Sequence, residues 1–195
     1  MPVDHNKIVF LDVDGPLTNE EQWYKLKADY YGIDTSLDQN ILKIDSFYAE
    51  QERKRRVRDF ILESPLPPLR IVDHSPPFLE DAVNRIHRLY DQTSCSFVLS
   101  SQWRIGLSLE QIQMVMERSG LQVPFVGKTQ DSFTEHRAYL IREYLTQSQA
   151  SSYVIIDDIN FEGFELFFGE RFIQTPFTTC VSEENIEKAI SLLNK

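Results

Sequence analysis

Five short apolar runs recur along the chain with helical periodicities between them: KIVFL (7–11), SFVLS (96–100), QVPFV (122–126), YVIID (153–157) and RFIQT (171–175). Each is continuously apolar rather than alternating, as strands covered on both faces are. Between them, Phe78, Leu79, Ala82, Val83, Ile86, Leu89 and Tyr90 recur at three- and four-residue spacing, and Phe133, Leu140, Ile141, Tyr144 and Leu145 form a second apolar stripe. Ser182 is placed to cap a last helix whose first turn is acidic and whose inner face is Ile186, Ala189, Ile190 and Leu193. Strands alternating with helices predict an α/β fold of three layers around a five-stranded, mostly parallel sheet. Pro124 has no N–H to give a ladder, which puts the third run at an edge.

The first connection breaks this rhythm, because residues 19–76 are too many for a simple crossover. Their signals are helical (EEQWYKLKADYYG, then LDQNILKIDSFYAEQERKRRVRDFILE), and the proline-rich SPLPPLRIVDHSPP returns the chain to the sheet. The expected organisation is a core of residues 1–18 and 77–195 with a helical cap inserted at 19–76. A length of 195 residues suits a single core, and 42% hydrophobic with 26% charged residues is ordinary globular composition. A net charge of −10 argues against binding nucleic acid through overall charge. Cys95 and Cys180 show neither metal-ligand spacing nor a disulfide framework, which suits a reducing compartment. With no leader pattern and no apolar run of membrane length, the expectation is a cytoplasmic protein without membrane contact, although export without a cleavable signal is compatible with the sequence. No protein partner is evident.

Chemistry collects where the strands end. Asp12 and Asp14 follow the first run, Ser100 and Ser101 close the second, and Asp157 and Asp158 close the fourth. In an open α/β sheet, ligands bind beyond the carboxyl ends of the strands, so four carboxylates and two hydroxyls are delivered to one rim. Carboxylates this close repel one another and resist losing all their protons. A hard cation such as Mg²⁺, which prefers carboxylate, water and phosphate oxygens, is the compensation that fits.

These residues carry a resemblance. FLDVDG, FVLSSQWR and YVIIDD, in that order at successive strand ends, resemble the first, second and fourth motifs of the haloacid dehalogenase superfamily of aspartate-dependent phosphohydrolases. The Ser-Ser-x-Trp-Arg form of the second is similar to the dehalogenase-like domain of the Swiss-Army-knife RNA repair proteins. The resemblance covers the five-strand core, implies a Rossmann-like arrangement of its layers, and leaves the insertion unmatched. It implies that Asp12 is the nucleophile that forms an aspartyl-phosphate, and that Asp14 protonates the leaving oxygen and then activates water. It further implies Mg²⁺ held by Asp12, the backbone carbonyl of Asp14 and Asp158, with Asp157 beside it as second candidate or ligand positioner. Ser100 is the expected donor to a phosphate oxygen, with Ser101 as the fallback. Arg137 or Lys128 supplies the basic third motif, and Arg104 is a candidate for a substrate carboxylate or second phosphate. The expected activity is phosphomonoester hydrolysis, on a small-molecule phosphate or a nucleic-acid end.

Other readings compete. Aspartates after a strand also form turns and caps. Trp103 reads as core packing, RKRRVR at 53–58 as a solvated helix, and His5, His74, His87 and His136 show no ligand spacing. Pro16 departs from the family pattern and removes an N–H from the phosphate loop, which leaves open a binding protein that has lost turnover. Glu162 alone represents the acidic residue expected past the fourth motif. A phospho-accepting receiver would carry its acidic pair and lone aspartate in a different order, and a dehalogenase would lack Asp14.

Overall fold

The computed structural model describes residues 3–19, 78–132, 136–160 and 163–195. The cap expected at 19–76, the run at 53–58 and His74 fall outside these residues, except for Asn19, as do Phe133 and Glu162. The elements are β1 (Asp4–Leu11), α1 (Glu80–Thr93), β2 (Cys95–Leu99), α2 (Leu109–Arg118), β3 (Phe125–Lys128), α3 (Arg137–Gln147), β4 (Ser152–Asp157), α4 (Phe164–Phe168), β5 (Phe172–Gln174) and α5 (Glu183–Leu193). All neighbouring strands are parallel, in the order β3-β2-β1-β4-β5. β1 therefore lies at the centre, between β2 and β4.

Side-chain alternation along the strands sorts the core into two faces. Ile8 and Phe10 of β1, Val98 of β2 and Ile155 of β4 pack with Ala138 and Ile141 of α3 and with Phe164 and Phe168 of α4. The odd-numbered Val9 and Leu11, also fully buried, face the opposite layer. There α1 and α5 pack together, tied at their exposed edge by Arg85 and Arg88 of α1 to Glu183 of α5 at 3.0 and 2.7 Å. The Ser182 cap forms as its sequence predicts: its hydroxyl accepts from Asn185 N, and Ile186, Ala189 and Leu193 are buried.

Several elements differ from the sequence reading in bounds or in being unforeseen. The third strand starts at Phe125 instead of Gln122, because Pro124 cannot donate; its carbonyl instead accepts from Phe97 N at 3.0 Å, and the strand is at the edge. α2 was not anticipated, although Ser108 and Gln111 form a reciprocal capping box ahead of Ile112, Val115 and Met116. α3 begins at Arg137, so this residue stands in its first turn, and Phe133 of the expected stripe precedes the helix.

Packing is close where β3 meets α3. A Cβ on Gly127 would lie 3.0 Å from two ring carbons of Tyr144 and nearer still to its hydroxyl, while Tyr144 stands edge-on to Phe10 at 5.5 Å. Gly127→Ala is therefore expected to cost about 1–3 kcal/mol in urea denaturation through overpacking. Tyr144→Phe, made in the same chain, should restore part of the loss by removing the closest atom.

Candidate active site

Register places the chemistry. Phe10 pairs with Val98 on one side and with Ile155 on the other, and all three point into the α3 layer. Two residues further along each strand, on the same face, come Asp12, Ser100 and Asp157. The ladders continue to this level: Ser100 N donates to Leu11 O at 2.9 Å and Asp12 N to Ile156 O at 3.0 Å. The strands that align the core thus align the polar groups above it.

Asp12 is 3% exposed and Asp157 fully buried. Carboxylate oxygens of Asp12, Asp157 and Asp158 lie within 4.8 Å of one another. Arg137 Nη1, from the first turn of α3, donates to Asp12 Oδ2 at 2.8 Å and also to Asp157 Oδ2. Burial alone opposes a charge on Arg137, but Asp12 and Asp157 outweigh it and raise its pKa further. Asp12 Oδ1 accepts from Val13 N and Asp157 Oδ1 from Ile159 N, at 2.9 and 3.0 Å. Burial first, then the charge of Asp12, pushes Asp157 well above the ordinary carboxylate value despite Arg137.

Asp158 is half-buried, and Gln174 Nε2 donates to its carbonyl at 3.1 Å. Its carboxyl is pushed up to about 6 by burial and then by Asp12. Gly15, with φ +98°, explains how it comes so near β1: a Cβ at Gly15 would lie 2.9 Å from Asp158 Oδ1 and closer to Asp158 Cβ. The turn needs a left-handed residue, and the approach needs one without a side chain.

Asp14 is held from two sides. Trp103 Nε1 donates to its Oδ2 at 3.1 Å, and Thr18 Oγ1 reaches Oδ1 at 3.4 Å. Its pKa also rises to about 6, through burial and then Asp12. Pro16, next in this turn, accepts from Val181 N through its carbonyl at 3.1 Å.

The remaining sequence candidates separate by what their polar atoms do. Ser100 Oγ is buried with no hydrogen-bond partner among the described residues, whereas Ser101 Oγ accepts from Trp103 N and caps the 102–104 turn. Arg104 is 2% exposed and spends its donors on backbone carbonyls, Ser101 O at 2.7 Å and Gln130 O at 3.1 Å with longer contacts to Ser100 O and Ser132 O. It buttresses the loops around the rim. Lys128 binds Asp131 at 2.8 Å and Arg104 O at 3.1 Å, while Arg137 touches Asp12. His5 meets Ser96 Oγ, His87 accepts from Gln122 N and His136 precedes α3. Sequence reading missed Trp103 as a partner of Asp14, since nothing local signals a bond between residues so far apart in the chain.

The Asp158 shift carries a sign. Its carboxyl titrates near 6 in the folded chain and near 3.8 when free, so folding takes up a proton between these values and rising pH removes stability across that window. In metal-free buffer, Asp158→Asn should melt above wild type at pH 7 and level with it below pH 4. Thermal unfolding of both proteins across pH, in chelator, measures this.

A family model described as HAD domain in Swiss Army Knife RNA repair proteins matches residues 8–186. No curated protein and no solved structure matches the chain.

Proposed function

Because the chain belongs to the HAD domain family of the Swiss Army Knife RNA repair proteins, we propose that it is a Mg²⁺-dependent phosphatase that hydrolyses phosphomonoesters, with a phosphate at a nucleotide or polynucleotide end as the favoured substrate. The observation that carries this reading is the convergence of Asp12 and Asp158, from separate strands, to carboxylate contacts within 4.8 Å. The donor set fits a hard cation: it is all oxygen, and two of its neighbouring carboxyls are pushed up to about 6 by burial and by the charge of Asp12. Asp12, Asp158 and the Asp14 carbonyl would hold Mg²⁺, which when bound supplies the positive charge that lets an anionic nucleophile meet an anionic phosphate.

The residues divide the work. Arg137 fixes the Asp12 carboxylate at 2.8 Å and keeps a cation beside the phosphoryl group, and Asp157, fully occupied by Arg137 and Ile159 N, sets Arg137 in place. The unpartnered hydroxyl of Ser100 donates to a phosphate oxygen. Asp12 attacks phosphorus as the bond to the leaving oxygen breaks, and Asp14 gives that oxygen its proton. A water then attacks the aspartyl-phosphate, passing a proton back to Asp14 and freeing Asp12 and inorganic phosphate. A carboxyl near 6 suits both transfers close to neutral pH.

Asp12→Asn is expected to lower kcat on p-nitrophenyl phosphate by on the order of 10³-fold or more while leaving the melting curve folded. Unchanged turnover would refute the nucleophile. Comparing end-phosphorylated oligonucleotides with sugar phosphates, with and without Mg²⁺, tests the substrate: kcat/KM favouring the oligonucleotides supports the nucleic-acid end, and no preference removes it. Gly15→Ala should force Asp158 aside and cost on the order of 10²-fold in kcat/KM, with a raised Mg²⁺ requirement.

A further inference from the structure

One bond at the rim has no part in the steps above. Trp103 stands in the 102–104 turn after β2 and gives its indole N–H to Asp14 Oδ2 at 3.1 Å. An indole nitrogen donates and cannot accept, so Oδ2 is engaged as an acceptor and Oδ1 is the oxygen better placed to carry or release a proton. Among the described residues that oxygen has only the long 3.4 Å contact from the Thr18 hydroxyl, a group that can turn to donate or accept. The carboxyl is thereby fixed in rotation and Oδ1 is favoured as its proton-bearing oxygen.

The indole is itself immobilised. Ser101 Oγ accepts from Trp103 N, the Trp103 ring packs on Phe78 with centroids 5.9 Å apart, and Arg104 pins the turn through Ser101 O at 2.7 Å and ties it to Gln130 O at 3.1 Å. Each polar member of Ser-Ser-x-Trp-Arg therefore has its own task. Ser100 faces the rim unpartnered, Ser101 starts the turn, Trp103 aims Asp14, and Arg104 holds the turn to the next loop.

We infer that Trp103 is a positioning residue for proton transfer, acting through Asp14. This rests on the phosphatase reading. Its consequence depends on the leaving group: an alkoxide from a sugar or nucleoside departs only as it receives a proton, whereas dinitrophenolate departs without one. The later attack of water on the aspartyl-phosphate, with Asp14 as base, is common to both esters, so the leaving group separates them in kcat/KM, which covers the steps through phosphoryl transfer: there, loss of the indole N–H is felt on the alkyl phosphate alone.

The test is Trp103→Phe in the full chain with Mg²⁺, assayed on a nucleoside monophosphate and on 2,4-dinitrophenyl phosphate. Phenylalanine keeps a ring against Phe78. The nucleotide's kcat/KM should fall on the order of tenfold, while kcat/KM for the dinitrophenyl ester stays within about twofold. In an Asp14→Asn background the same change should add nothing on either ester, because the two residues act as one unit. An equal loss of kcat/KM on both esters, no loss on the nucleotide, or a loss that persists without the Asp14 carboxyl overturns the role. Should Trp103→Phe misfold, benzothienylalanine at position 103 replaces only the N–H and makes the same comparison. Wild-type protein inactive on both esters would fell the phosphatase reading and this role with it, whereas an active wild type and a uniform loss refute Trp103 alone.

Discussion

A single guanidinium makes this rim possible. Asp12 and Asp157 are carried by adjacent strands to a level where water no longer solvates them, and either one alone would be costly to leave ionised. Arg137 reaches both. Removing one partner of such a buried cluster typically costs several kcal/mol, far more than an exposed ion pair, because what remains is an uncompensated charge. Asp158 and Asp14 lie around the cluster, and their carboxyls, like that of Asp157, are raised by burial first and then by the charge of Asp12.

The same economy governs the loops. The Arg104 guanidinium, almost inaccessible, is tolerated because backbone carbonyls take its donors, and in return it fastens the turn after β2 to the segment after β3. Lys128 completes that girdle by joining Asp131 to Arg104 O. Two of the cations that the sequence offers for substrate thus hold the frame, and the one in the first turn of α3 faces the carboxylates. The positive end of that helix favours the same location for negative charge.

How far the sequence could be read follows from where each signal resides. Strand ends are legible because continuous apolar runs stop abruptly at Asp12, Ser100 and Asp157, and a parallel sheet brings such ends to one side. The register that sets Asp12 level with Ser100 follows from the core alternation at Phe10, Val98 and Ile155. α2 was overlooked although Ser108 and Gln111 announce its start, because its three buried residues sit among glutamines and glutamates. The bond from Trp103 to Asp14 and the carbonyl grip of Arg104 are products of tertiary approach. No spacing encodes them, and an aromatic or arginine beside a motif reads equally well as filling or as ligand. The expected cap at 19–76 lies outside the described residues.

The central place of β1 has a consequence for synthesis. The strand bearing Asp12 is synthesised well before its partner bearing Asp157 and the neighbouring Asp158, with Arg137 between them in the chain. Until β4 emerges, the acidic turn after β1 has neither of those carboxylates beside it. The carboxylate cluster therefore assembles only once β4 has paired with β1.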